Sequence, residues 1–320
     1  MNSHSNFPGL IPDTIDLSSY MEPEQSYAIR PAHAFTDRAL SILSGNNAIK
    51  GLPFPWSKTA GLFAFRPGEL TVWTGYKAHG KSMALSQILL HAMCHGERCL
   101  IISPEFRPEA VLARKVRQAA CTNVPDEQFA RGFLEWAGDG RLFLFDHQGS
   151  LTPDTVTGVV RYAIDHHLVT HVVVDSLMKC GIAPDDFPRQ KRFVDDLQCI
   201  AHQSGAHIHM VAHARKGESD DKPARLHDVK GTSELCDMAE NVLSVWKHKK
   251  KLEAQSKGDR SRDNEPDALL IVDSQRNGDG WTGAIQLWFH QQSFQFLADP
   301  RVPPRSYLEA LKHAQEQVAK

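Results

Sequence analysis

The sequence predicts an α/β fold: a mainly parallel sheet with helices on both faces and antiparallel strands at its C-terminal end. Three observations predict it. Short apolar runs alternate with stretches of helical length from Glu69 to Ala212, the pattern of a parallel sheet covered on both sides. After Asn241 the rhythm changes to strands joined by short turns, as antiparallel pairing requires. Between the first strand and the first helix of the alternating part lies "GYKAHGKS" (Gly75–Ser82), which has the G-x-x-x-x-G-K-[ST] form of a phosphate-binding loop.

Taken in order, residues 1–33 are polar, broken by proline and aperiodic, and read as a flexible N-terminal arm. "AFTDRALSILSG" (Ala34–Gly45) places Phe35, Ala39, Leu40 and Leu43 at helical spacing and ends on a glycine. Residues 46–66 read as irregular. Strands are expected at Leu70–Thr74, Cys99–Ser103, Leu142–Asp146, His171–Asp175 and His207–Ala212. Helices are expected at Lys81–His95, Pro108–Ala120, Pro125–Ala137, Pro153–His167 and Pro188–Gly205. "NVLSVWKH", "DALLIVDSQ", "GAIQLWF" and "SFQFL" then read as the antiparallel strands. The charged stretch "KKKLEAQSKGDRSRDNEP" between the first two reads as a loop, and Pro304–Lys320 as a short helix.

Composition narrows the class. The chain has 320 residues and is 41% hydrophobic, enough for one large domain or two small ones. Its net charge of −2 advertises no global basic field, although basic residues confined to a few loops can still bind nucleic acid. Six cysteines (Cys94, Cys99, Cys121, Cys180, Cys199, Cys236) are scattered without a C-x-x-C pair. That suits reduced thiols in a cytoplasmic protein better than a disulfide frame or a zinc site. His207 and His209 point to one face of a strand, where ordinary packing competes with a metal role. No run approaches the ~18 apolar residues of a membrane span, so no membrane partner is expected.

The phosphate loop carries the chemistry. Gly75, Tyr76, Lys77, Ala78, His79 and Gly80 would turn backbone N–H groups toward phosphate oxygens. Lys81 can reach the β- and γ-phosphates, the Ser82 hydroxyl can ligate Mg²⁺, and Met83 continues the helix start that faces the anion. ATP, or another NTP, with Mg²⁺ is the cofactor these residues suit. "IISPEF" puts Glu105 at the C-terminal edge of the next strand, where ligands of open parallel sheets sit. A carboxylate there can orient and deprotonate an attacking water; the bland reading is a solvated loop acid. "HVVVDS" ends an apolar strand on Asp175, a metal-site acid or a helix cap. "HIHMVAHARKG" brings His213 to another strand end, where it can sense the γ-phosphate or simply pack.

With these residues in place, the chain resembles the helicase domain of hexameric replicative helicases, the DnaB, Twinkle and phage primase–helicase type, with a RecA-like P-loop NTPase core. "ISPEF" is similar to the family strand that ends in the catalytic glutamate, and "HVVVDSL" to its metal-binding strand. "MVAHARKG…LHDVKGTSELCDMAENVLSVWK" resembles the sensor strand, DNA-binding loop and following helix and strand. "DSQRNGDGWTGAIQLWF" resembles the segment that supplies the arginine finger. The resemblance implies catalytic roles for Glu105, Lys81, Arg276 and His213, with Arg276 acting on a neighbour's nucleotide. Such fingers contribute about 10³–10⁵ in rate. It implies contacts to single-stranded DNA from Arg215, Lys216, Lys230, Gly231 and Thr232, which would follow a backbone without reading bases.

The resemblance also implies a layout. Residues 34–50 are a linker helix and subunit-packing segment, 51–299 the RecA-like domain, and 300–320 a C-terminal tail. A homo-oligomeric ring, 5′→3′ movement, and separate primase, loader or polymerase partners in a bacterial or phage-infected cell complete the expectation. One departure stands out. Ser274 occupies the place of a usual lysine two residues before Arg276, so a second positive charge would come from elsewhere, with Lys247 or Lys249 as candidates. The rivals are a RecA-like recombination ATPase forming filaments, a KaiC-like regulatory ATPase without DNA coupling, and an inactive scaffold.

Overall fold

Period-two alternation divides the apolar strand residues between two cores. Leu70 and Val72 pack into one core and Trp73 into the other; Leu100 and Ile102 part in the same way from Cys99 and Ile101. Successive strand side chains point to opposite faces, so such strands demand a helical layer on each side. The computed structural model describes residues 10–12, 16–21, 31–43, 51–147, 151–215, 220–224, 228, 234–278 and 280–307.

In chain order the elements are β1 (Leu10–Pro12), α1 (Ser18–Met21), α2 (Thr36–Leu43), β2 (Leu52–Pro53), β3 (Ala64–Phe65) and β4 (Leu70–Thr74). Then come α3 (Lys81–Cys94), β5 (Cys99–Ile102), α4 (Pro108–Ala120), α5 (Glu127–Gly138), β6 (Leu142–Asp146), α6 (Pro153–His167) and β7 (His171–Asp175). The last are α7 (Phe187–Ser204), β8 (His207–Val211), α8 (Glu234–Met238), β9 (Asn241–Lys247), α9 (Lys249–Ser256), β10 (Ala268–Gln275), β11 (Gly283–His290) and β12 (Gln295–Leu297). The main sheet runs β1-β6-β5-β7-β8-β4-β9-β10-β11-β12. Every pair from β1 to β9 is parallel, and β9–β10, β10–β11 and β11–β12 are antiparallel. The expected fold class holds, with one refinement: β9 belongs to both parts, since its other neighbour β4 pairs with it in parallel.

Helices α3, α4 and α5 bury Ile88, Leu89, Val116, Phe133 and Trp136 on one face, and α6 and α7 bury Val156, Val159, Phe193 and Leu197 on the other. Each such side chain contributes about 1.5–3 kcal/mol when fully buried. Local chemistry sets the helix ends. Asp126, Thr152 and Asp186 cap α5, α6 and α7 by accepting a backbone N–H three residues on. Gly205 ends α7 in the left-handed conformation.

Three expectations change. Part of the expected flexible arm is built into the fold: β1 pairs with β6 as an edge strand, Leu17 is buried, and Tyr20 packs edge-on to Tyr162. The stretch after β9 is not all loop, because its first eight residues form α9. The cause is Lys251, which is buried and donates to Glu265 O at 2.6 Å while pairing with Asp267 at 2.7 Å. Residues 46–66 are not featureless either. Phe54 stacks on Phe63 at 4.6 Å, and the Trp56 indole N–H donates to Phe296 O, sealing the core beneath the short β2–β3 pair. Of the expected C-terminal helix, residues 308–320 lie outside the described residues, and Tyr307 just before them is buried.

Candidate functional site

The phosphate loop leaves β4 and enters α3 at the C-terminal edge of the parallel strands. Its two glycines are required by space. A Cβ on Gly75 would lie 2.4 Å from the carbonyl oxygen of Val245, and φ there is +132°. Gly80, at φ +96°, caps α3, and a Cβ there would meet the Phe296 ring at 3.0 Å. Lys81 is buried and folds back, its ammonium donating to the carbonyls of Gly75 at 2.7 Å and Tyr76 at 3.0 Å. Burial pulls its pKa down to about 8 against the attraction of Asp175 and Glu105.

The acids predicted from strand ends converge here because β4, β7 and β8 are neighbours, with β5 beyond β7. The Ser82 hydroxyl donates to Asp175 Oδ2 at 2.9 Å. Asp175 is buried, and burial raises its pKa. Glu105 accepts the Ser176 hydroxyl at 2.8 Å, and His213 Nε2 stands 3.5 Å from the same oxygen. The hydrogen bond to His213, and after it that to Ser176, hold Glu105 down to about 2 against desolvation. A hydroxyl and a carboxylate side by side are hard oxygen donors of the kind Mg²⁺ takes, and an ammonium facing only carbonyls can be turned onto phosphate. The residues therefore fit a magnesium nucleotide.

Sequence reading missed two members of this cluster. Ser176 follows Asp175 directly, and a hydroxyl at that strand end was a readable signal. Arg114 reaches in from α4: its guanidinium lies 3.4 Å from Ser82 O, over the Phe106 ring, and is attracted by Asp175. Nothing in its spacing announced this. Ser82, Ser103, Arg114 and Asp175 line a cavity of about 30 Å³ under the loop, room on the scale of one water.

Two expected participants stand apart. Arg276 is at the opposite edge of the sheet: its N–H donates to Glu240 O, and Glu240 bonds the first residue of β4, Leu70. The five residues of β4, about 16 Å of strand, separate it from the phosphate loop of its own chain. Its half-exposed guanidinium donates to the carbonyls of Asp237 and Met238, which end α8, and Asn277 donates to buried Glu69. Lys247 and Lys249, the candidates to replace the charge missing at Ser274, are at the far end of β9 from Arg276. Lys249 pairs instead with Asp220.

The side chain of His79 also departs from a phosphate-binding role, since both its nitrogens are engaged elsewhere, by Lys247 N–H and by Asp220. Arg215 is exposed, with its N–H donating to Asp228 O at 2.7 Å. Lys216, Lys230, Gly231 and Thr232 lie outside the described residues. His207 and His209 are packing residues. His207 joins Thr71 and Arg66 O, and His209 accepts from Trp73 and meets His171 at 3.2 Å. Among the described residues no group of three potential ligands could hold a metal ion, and no helix is long and apolar enough to cross a membrane.

Fold and site define a P-loop α/β protein of the RecA-like kind. Residues 63–219 match the model of a family described as an AAA domain. Among solved structures the chain is similar to one described as the ATPase domain of a larger protein, at 13% identity and a TM-score of 0.68, over 85% of this chain and 99% of that one. It is also similar to a DnaB-like replicative helicase whose structure describes its interactions with primase. There the identity is 13% and the TM-score 0.66, over 85% of this chain and 67% of that one. The likeness to DnaB-type helicase domains expected from the motifs thus holds at the level of the fold.

Proposed function

We propose that this chain is an ATP-dependent DNA helicase motor that assembles as a ring, a hexamer, around single-stranded DNA and moves 5′→3′. The observation that carries the reading is the division of the parts between two sheet edges. Lys81, Ser82, Asp175, Glu105 and His213 gather at one edge, and Arg276 stands at the other. A site so divided is completed only when the Arg276 edge of one copy meets the phosphate loop of the next. The similarity to a DnaB-like replicative helicase supports DNA as the track and a primase as a separate partner; a loader or polymerase is a partner of the same kind.

Bound Mg·ATP supplies the scissile phosphoanhydride and the metal's positive charge. Lys81 swings from the carbonyls of Gly75 and Tyr76 to hold phosphate oxygen. Ser82 and Asp175 hold the metal. Glu105 orients the attacking water; held near pKa 2, it is a poor proton acceptor. When His213 turns toward the γ-phosphate, Glu105 loses the largest cause of its acidity and becomes a better base. His213 thereby joins phosphate sensing to activation of the water, and the strand bearing it leads directly to Arg215.

The test is ATP hydrolysis with and without single-stranded DNA, in the wild type and in Arg276→Ala. Stimulation by DNA that disappears in the variant, with nucleotide still bound, is expected. Hydrolysis indifferent to DNA would sink the helicase reading in favour of a regulatory ATPase. Undiminished turnover in Arg276→Ala would remove the finger.

A further inference from the structure

His79 is an odd occupant of a phosphate loop. Such a loop works with backbone N–H groups, yet here a bulky imidazole is placed inside it with its side chain wholly buried. The hydrogen bonds settle its tautomer. Nδ1 accepts the Lys247 N–H at 3.1 Å, so the proton of the neutral ring is on Nε2, which donates to Asp220 Oδ2 at 3.3 Å. Desolvation keeps the ring below the usual histidine range, with Asp220 opposing and Lys249 and Lys81 assisting. Both nitrogens are spent, and neither is free for an anion.

Asp220 is fastened in turn. Lys249 holds the same carboxylate oxygen, the Trp246 indole N–H donates to the Asp220 carbonyl at 2.9 Å, and Lys250 pairs with Asp221 at 2.9 Å. Tyr76 closes the other side of the imidazole, ring to ring at 5.2 Å. A continuous chain thus runs from the phosphate loop through His79 to the segment 220–224 and to the junction of β9 and α9. The segment lies between Arg215 and α8, on the stretch to which the sequence assigns contact with polynucleotide.

We propose that His79 is a positioning residue that couples the phosphate loop to the segment 220–224, so that nucleotide affinity is set partly through Asp220, a side chain with no contact to the nucleotide. The proposal rests on the nucleotide-binding reading above. Coupling of this kind is reciprocal. Whatever draws Asp220 from His79 alters nucleotide affinity, and nucleotide alters the hold on the segment by the same factor.

The experiment titrates the full chain with N-methylanthraniloyl-ATP and Mg²⁺ and records melting temperature alongside. The variants are Lys81→Ala, Asp220→Ala, Asp220→Asn, His79→Gln and the double His79→Gln/Asp220→Ala. Loss of a hydrogen bond to a charged group predicts about tenfold weaker binding in Asp220→Ala. Asp220→Asn keeps an acceptor for Nε2–H and should restore most of it. The double variant should bind no more weakly than His79→Gln, because one chain has been cut twice. Wild-type affinity in Asp220→Ala, or losses that add in the double, overturns the coupling while nucleotide binding stands. A wild type that does not bind the analogue, or a Lys81→Ala that binds it equally well, overturns the nucleotide reading and the coupling with it.

Discussion

The buried histidines make stability depend on pH, and His207 provides the cleanest measure. It is buried, with Nδ1 against Arg66 O at 2.6 Å and Nε2 against Thr71 Oγ1 at 2.8 Å. Desolvation lowers its pKa to about 4, against about 6.5 in an unfolded chain. Below pH 6.5 the unfolded state therefore binds the proton that the folded state refuses, and stability falls with pH. The loss is absent above pH 6.5 and saturates near pH 4. At about 1.4 kcal/mol per pH unit, His207 alone costs about 2 kcal/mol between pH 6.5 and pH 5. His171 and His209 are lowered by the same burial and act in the same sense. Urea unfolding at pH 5, 6 and 7.5 measures it, in the wild type and in His207→Gln. The wild type should lose at least about 2 kcal/mol across the range, and the variant should lose about 2 kcal/mol less while starting from lower stability. The same pH dependence in both proteins would refute the account, because an imidazole that does not refuse the proton cannot produce it.

Gly75→Ala forces a Cβ to 2.4 Å from Val245 O at a φ of +132°. The backbone conformation alone costs about 1–3 kcal/mol, so the urea midpoint should fall and nucleotide binding should be lost together; an unaltered midpoint would contradict the packing. Asp175→Asn keeps an acceptor for the Ser82 hydroxyl but removes the charge. The Mg²⁺ concentration for half-maximal hydrolysis should rise at least about tenfold, and an unchanged magnesium dependence would exclude Asp175 from the metal site. Leu40 and Leu43 are 56% and 79% exposed on α2. Leu43→Asp should therefore reduce the particle to monomers in light scattering without changing its melting temperature, and an intact assembly would leave α2 without a role in subunit packing.

What could be read from the sequence follows from where each residue lies along its strand. Glu105, Asp175 and His213 each terminate an apolar run, and in a parallel sheet strand ends fall on one edge, so periodicity alone gathers them. The partners that tune them are set by strand order, which periodicity does not carry. Ser176 meets Glu105 across 71 residues and His79 meets Asp220 across 141. The insertion of β7 and β8 between β5 and β4 has no local sequence signal. The paired direction of His207 and His209 was legible from alternation, but the Thr71 and Trp73 side chains that satisfy them belong to β4, whose neighbour β8 comes far later in the chain. Helix α9 was missed for a related reason. Its sequence is almost wholly charged, and what orders it is the burial of one lysine against Glu265 and Asp267.

The same topology decides what kind of assembly can complete the site. A phosphate loop on one sheet edge and Arg276 on the other form two different surfaces, so a contact that joins them is head-to-tail rather than self-complementary. Repeated, such a contact closes into a ring or continues as a filament, and a two-fold dimer does not satisfy every copy. Arg276 is held in the free chain by the carbonyls that end α8. To reach a neighbour it must release them, and α8 is the helix that follows the loop assigned to DNA. At the other edge, segment 220–224 of the same stretch is tied to the phosphate loop through His79. One stretch of chain between β8 and β9 thus touches both halves of the divided site, the half that would hold a nucleotide and the half that would reach across to the next. A strand of DNA pulling on that stretch would act on two neighbouring sites at once, which is what a motor passing its turn from copy to copy requires.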